Sequence, residues 1–146
     1  MKINSLATKS IATVSVLLGM AVTFSYQSVQ AERSPPTEHK GVSVKSLGAI
    51  SESSLESQIG LTGYKMQLRE ITLNPGGQIA RHDHFKRPGL VWTLSGSWIE
   101  GRSSGDKEYP ASLDQAILED ASTDHWFWND SSELARVVVC DIVPAQ

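Results

Sequence analysis

The chain has one cysteine, Cys140, among its 146 residues. No intramolecular disulfide can form, so packing and hydrogen bonds alone must hold the fold. Basic residues are in the minority: 13 Lys and Arg stand against 16 Asp and Glu, a formal charge of −3. A mildly acidic surface argues against nucleic acid and anionic membranes as partners. Helical periodicity is equally scarce, because no stretch keeps an amphipathic pattern beyond a turn or two, and no internal repeat is visible. The long uncharged run, Ile11 to Phe24, is 14 residues and falls short of the roughly 20 that span a bilayer.

That run is flanked as a leader would be. Lys2 and Lys9 precede it, and Val29-Gln30-Ala31 follows as a small-residue cleavage site. Residues 1–31 therefore read as a secretory signal peptide, and the lack of arginine before Arg33 sets them apart from an organelle transit peptide. The protein is expected to be exported, periplasmic or secreted, with no membrane attachment after cleavage. The remaining 115 residues carry 11 basic and 16 acidic side chains and suit one domain. Residues 32–63 read as an N-terminal arm and loop, with Pro35-Pro36 in a polar lead-in and a serine-rich loop at Ser51 to Ser57. Residues 64–146 read as the folded domain.

From Tyr64 onward the pattern is strand, turn, strand. Tyr64 to Leu73 changes its apolar parity near Glu70, which predicts a bulge there, and Asn74-Pro75-Gly76-Gly77 predicts a turn. Leu90 to Leu94, Trp98 to Glu100, Ala116 to Leu118, His125 to Trp128 and Ala135 to Val143 read as further strands. Ser95-Gly96-Ser97, Ser103 to Asp106 and Asn129 to Ser132 mark connections between them. Short strands at close spacing predict an all-β sandwich or barrel. Cys140 lies within the last strand and is expected to be a buried small hydrophobe. Trp92, Trp98, Trp126 and Trp128 are expected to pack in the core and barrel wall.

The chemistry concentrates in the histidines. His82 and His84 are two residues apart, so on a strand both imidazoles face the same way, as two ligands of one metal would. His125 is a third, and on the same strand parity Phe127 shares its face while Trp126 and Trp128 take the other. Without a metal, the same histidines would line a pocket as hydrogen-bonding groups. His39 falls in the lead-in and reads as incidental. Arg81 and Arg87 bracket the pair; Arg87 reads as a loop-bracing residue, with recognition of an anionic substrate as the alternative.

Gly76, five residues, His82-Asp83-His84 and then Gly96 resemble the first motif of the cupin superfamily, and His125-(x3)-Asn129 resembles part of its second. The resemblance covers roughly Tyr64 to Val143 and implies a cupin-type jelly-roll β-barrel. It implies a divalent transition metal, whether iron, zinc, manganese, copper or nickel, held by His82, His84 and His125. The motif's glutamate would fall at Gly89, which offers no side-chain ligand. Turn positions of the second motif usually held by glycine, proline and glycine are Asp114, Asp120 and Ser122. Glu119 stands where an apolar residue is usual. It is a substitute ligand on one reading and a solvent-facing strand-edge residue on the other. The implied function is metal-dependent binding or turnover of a small organic molecule, in an enzymatic version of the dioxygenase kind. The alternative is a non-catalytic ligand-binding or interaction barrel without its metal. A homodimer is a further expectation drawn from the resemblance.

Overall fold

A computed structural model describes residues 33–145. The leader read in residues 1–31 lies outside the described residues. Eight strands and one helix follow in order: β1 (Lys40–Ile50), α1 (Glu52–Ile59), β2 (Tyr64–Asp83), β3 (Gly89–Ser95), β4 (Ser97–Arg102), β5 (Gly105–Pro110), β6 (Ile117–Glu119), β7 (Asp124–Trp128) and β8 (Ala135–Pro144). They form one curled antiparallel sheet in the order β5-β4-β7-β2-β8-β3-β6, with β1 laid along β2. No helix among the described residues is long and apolar enough to cross a membrane.

The curl originates in β2. Tyr64–Leu73 pairs with β8 in unbroken register, whereas Gln78–Asp83 pairs with β7. The predicted turn at Asn74–Gly77 is thus a corner inside one long strand, where Gly76 takes a left-handed φ of 67°. Asn129 clamps this corner. Its backbone N–H donates to Gly77 O and its O accepts from Gly76 N–H. Its fully buried amide donates to Leu73 O and Glu133 O.

A register shift does fall beside Glu70, but against β1: Ser46 and Gly48 oppose Arg69 and Leu68, so the extra residue lies on β1. Opposite β8 no shift occurs there; inward positions are Arg69, Ile71 and Leu73, so a charged residue on the inner face had mimicked a change of register. The irregularity against β7 falls between Ile79 and His82, where β2 carries one extra residue. That extra residue lets Ile79, His82 and His84 all face inward.

Residues 33–63, expected as an arm and loop, hold a strand and a helix. β1 is an eleven-residue strand along β2, and Ser51 to Ser57 falls largely in α1. The helix has local causes: Ser51 Oγ caps it by accepting from Ser54 N–H, and Gly60 ends it at φ 72°. With one buried residue, Leu55, it has no apolar stripe to betray it.

The core packs Leu73, Val91, Phe127, Ala135, Val137 and Val139 between the two walls. Strict alternation along β3 sends Gly89, Val91 and Thr93 inward and Leu90, Trp92 and Leu94 outward. Trp92 is therefore 41% exposed, contrary to expectation, while Trp98, Trp126 and Trp128 are buried. Cys140 is half-buried rather than core, because β8 turns Val139 and Asp141 inward on either side of it. Asn129→Ala should cost about 2–3 kcal/mol in urea unfolding, since it removes two donated bonds and orphans buried Leu73 O.

Candidate metal centre

The corner and the bulge bring His82 and His84 from β2 and its end against His125 of β7. His125 Nε2 is 3.0 Å from His84 Nε2 and 3.1 Å from His82 Nε2. One nitrogen from each of the three lies within 4.8 Å of the others. His84 and His125 are buried and His82 half-buried.

The tautomers follow from the partners. His82 Nδ1 is 2.8 Å from Ala80 O, and His84 Nδ1 is 3.0 Å from Arg87 O. Carbonyls only accept, so both Nδ1 atoms carry the proton and donate. His125 Nδ1–H donates to Glu100 Oε1 at 2.6 Å. All three Nε2 atoms therefore present lone pairs toward one another. Burial lowers the His82 and His84 pKa values to about 4, against the help of their carbonyl partners. Both rings are neutral at pH 7, the protonation state in which imidazole binds a metal.

The bulge also supplies the polar partners. Ala80 O fixes His82, and Ala80 N–H donates to His39 Nδ1 at 3.1 Å. His39, read as incidental, thus lines the cavity and satisfies a bulge amide. Arg81 points outward to Asp124, whereas Arg87 lines the cavity instead of bracing a surface loop. Phe127 lines the cavity as expected, stacked on Trp98 with ring centroids 4.1 Å apart.

Glu100, which sequence reasoning passed over, stands behind His125. Burial pushes its pKa up, but bonds from His125 and Arg102 outweigh this and hold it at about 2. Tyr109 Oη–H donates to its other oxygen at 3.0 Å. This carboxylate–imidazole pair orients His125 and fixes its tautomer. A lone inward charge in Trp98-Ile99-Glu100 was the available signal.

Glu119 is buried, not solvent-facing. Its Oε1 lies 3.6 Å from His125 Nε2 and its Oε2 3.4 Å from His84 Nδ1, whose proton goes to Arg87 O instead. Oε2 has no hydrogen-bond partner among the described residues. Gly89 explains the placement, because it pairs with Glu119 across β3 and β6. A Cβ on Gly89 would come 3.1 Å from Glu119 Oε2. The carboxylate fills the space that a residue-89 side chain would enter.

No family model matches the sequence, and no curated protein matches it. Solved structures do match the fold. The Cupin_2 domain of an XRE-family transcriptional regulator from Enterobacter cloacae aligns with 73% of this chain and 100% of its own, at TM-score 0.52 and 18% identity. The fold is that of the cupins. A predicted oxalate decarboxylase from Thermotoga maritima aligns with 75% of this chain and 93% of its own, at TM-score 0.55 and 14% identity. A polyketide cyclase from Streptomyces resistomycificus covers 75% of both chains, at TM-score 0.53 and 17% identity. These likenesses establish the jelly-roll cupin barrel implied by Gly76, His82, His84 and Gly96. Within this barrel Gly89 is still without a ligand, and the nearest spare carboxylate comes from the neighbouring strand.

Stripped of metal, the site should titrate in two opposed windows. Lowered His82 and His84 pKa values contribute stability that is full above about 6.5 and lost as pH falls through about 4. Burial raises Glu119 from 4.5 to about 7, so its contribution is full below 4.5 and lost as pH rises through 7. Glu119→Gln removes the second window. In chelator-treated protein its stability advantage over wild type should grow from near zero at pH 5 to about 2 kcal/mol at pH 8.5, by urea unfolding.

Proposed function

We propose that this cupin uses His82, His84, His125 and Glu119 to hold a divalent transition metal, and that it binds or acts on a small organic molecule in the adjoining cavity. The observation that carries the reading is the convergence of three Nε2 lone pairs whose Nδ1 protons are all committed elsewhere. Three acceptors facing one another repel unless a cation lies between them. Glu119 supports the same reading, because its Oε1 lies 3.6 Å from His125 Nε2 and its Oε2 is buried without a hydrogen-bond partner among the described residues.

The separations also bear on the metal. Two donors about 2.1 Å from one ion are about 3 Å apart at a right angle and about 3.4 Å apart in a tetrahedron. The 3.0 and 3.1 Å spacings of His125 from its neighbours are short enough for one ion to be shared by these imidazoles. When bound, such an ion supplies Lewis-acid or redox chemistry at whatever positions the protein leaves open. The chain's own residues do the rest. Ala80 O, Arg87 O and Glu100 hold the imidazoles in one tautomer, while Ile71, Ile79, Phe127 and Val139 keep the cavity wall apolar. Glu119 is the carboxylate among the cavity-lining residues and the group able to accept a proton there. The leader in residues 1–31 would place this activity outside the cytoplasm.

A metal-free, non-catalytic barrel is the second reading, and one contact favours it. Arg87 Nη2 lies 3.2 Å from His84 Nε2, so a guanidinium can take the lone pair that a metal would otherwise use. Elemental mass spectrometry separates the two. Protein purified without an affinity tag should carry near one metal per chain, and His82→Ala/His84→Ala should carry none. Glu119→Gly should weaken metal binding at least tenfold. Gly89→Glu/Glu119→Gly should recover most of it, because the new side chain enters the vacated space. Wild type that stays metal-free after incubation with iron, zinc, copper, nickel and manganese would leave the non-catalytic reading.

A further inference from the structure

Beyond the histidines, the same cavity contains charges that the metal reading does not use. Arg69 on β2 donates from Nη2 to Asp141 Oδ2 at 2.8 Å. Arg87 approaches the same oxygen with its Nε at 3.7 Å. Asp141, on the inner face of β8, has a side chain with 0% exposure, so two guanidinium groups share one buried carboxylate. Among these three groups one positive charge is left over, and the Glu119 carboxylate is the further charge beside them. Both Arg69 Nε and Arg87 Nε are buried without a hydrogen-bond partner among the described residues. A buried, unanswered guanidinium N–H is costly, and the planar fork to which it belongs suits a planar oxyanion.

The surroundings restrict what could answer it. Arg69, Arg87 and the three elements of the site, His82, His84 and Glu119, line one cavity of about 410 Å³. That volume suits a small molecule. Its remaining wall is largely apolar, formed by Val42, Ile71, Val139 and Phe127 among others. Arg87 Nη2 reaches to 3.2 Å from His84 Nε2, so the guanidinium lies alongside the imidazole cluster rather than at a remote end of the cavity.

We infer that Arg69 and Arg87, braced by Asp141, form a carboxylate-recognition site, and that the protein's ligand is a small organic carboxylate with an apolar body. With Glu119 committed to the metal, the one charge left over among Arg69, Arg87 and Asp141 matches a monoanionic carboxylate rather than a dianionic phosphate ester. Asp141 orients the two arginines and touches no ligand itself; it is a positioning residue. This inference deepens the metal reading, in that the carboxylate would lie beside the ion, but the arginine pair stands on its own contacts.

Isothermal titration calorimetry with benzoate, benzamide and phenyl phosphate tests it, on both manganese-incubated and chelator-treated protein. Each sample's metal content is measured in parallel. Wild type should bind benzoate at least tenfold tighter than the isosteric neutral amide, and tighter than phenyl phosphate. Arg69→Gln should reduce the benzoate-to-benzamide ratio to within twofold. Arg69→Lys keeps a cation against buried Asp141, so the fold stands, but the lost fork should still bring the ratio below threefold. Far-ultraviolet circular dichroism and retained metal content show that these variants are folded. A benzoate preference that depends on Arg69 in protein that takes up no manganese upholds the carboxylate site while defeating the metal reading. Equal affinity for acid and amide, tighter binding of phenyl phosphate, binding of none of the three, or a preference untouched by Arg69→Gln would overturn the inference.

Discussion

Strand β2 serves two walls of the barrel, and the site depends on how it passes from one to the other. Its first half is zipped to β8 and its second to β7, with the change of partner made at Asn74–Gly77. A strand that turns through a corner must satisfy the backbone groups it strips from the ladder. Asn129 does this with both its backbone and its buried amide, tying the far end of β7 to the corner. The same element that carries His125 therefore anchors the strand that carries His82 and His84. The geometry of the histidine cluster and that of the barrel are one constraint.

A second local irregularity completes the arrangement. The extra residue at Ala80–Arg81 turns His82 inward in step with Ile79, and frees the N–H and C=O of Ala80 from the β7 ladder. Those freed groups are taken up by His39 and by His82 itself. Bulges re-aim side chains beside active sites for this reason. Here one bulge both aims an imidazole and selects its tautomer, leaving Nε2 as the free lone pair.

Electrostatically the cavity is organised in three groups. Behind His125, Glu100 is neutralised by Arg102 and kept ionised, so it is a fixed acceptor. Beside the imidazoles, Glu119 is buried with an unpartnered oxygen and its pKa raised, a group in want of a cation. Across the cavity, Asp141 is outnumbered by two arginines, a pair in want of an anion. Arg87 and Arg69 partly offset the Glu119 charge, yet burial still holds its pKa up, which suits a metal and an anionic ligand held together.

His82-Asp83-His84, with its glycine frame and His125-(x3)-Asn129, made the barrel and the three-histidine cluster legible, because two-residue spacing dictates a shared face on any strand. Glu119 was legible only as an anomaly, an acid in an apolar position. Its partnership with Gly89 depends on β3 and β6 lying side by side, a register that no local pattern encodes. Arg69 was misread as a shift in parity, since an inward charge and a bulge disturb the apolar alternation in the same way. Glu100 and His39 were missed because their roles consist of contacts to residues 25 and 41 positions away. The chain by itself determined most of the strands from Tyr64 onward and which histidines share a face, properties of neighbouring residues and their alternation, but not β1, α1 or β5. Tertiary structure alone decided which carboxylate reaches the imidazoles and which arginines share the buried Asp141, because both depend on strand pairing and burial between distant parts of the chain.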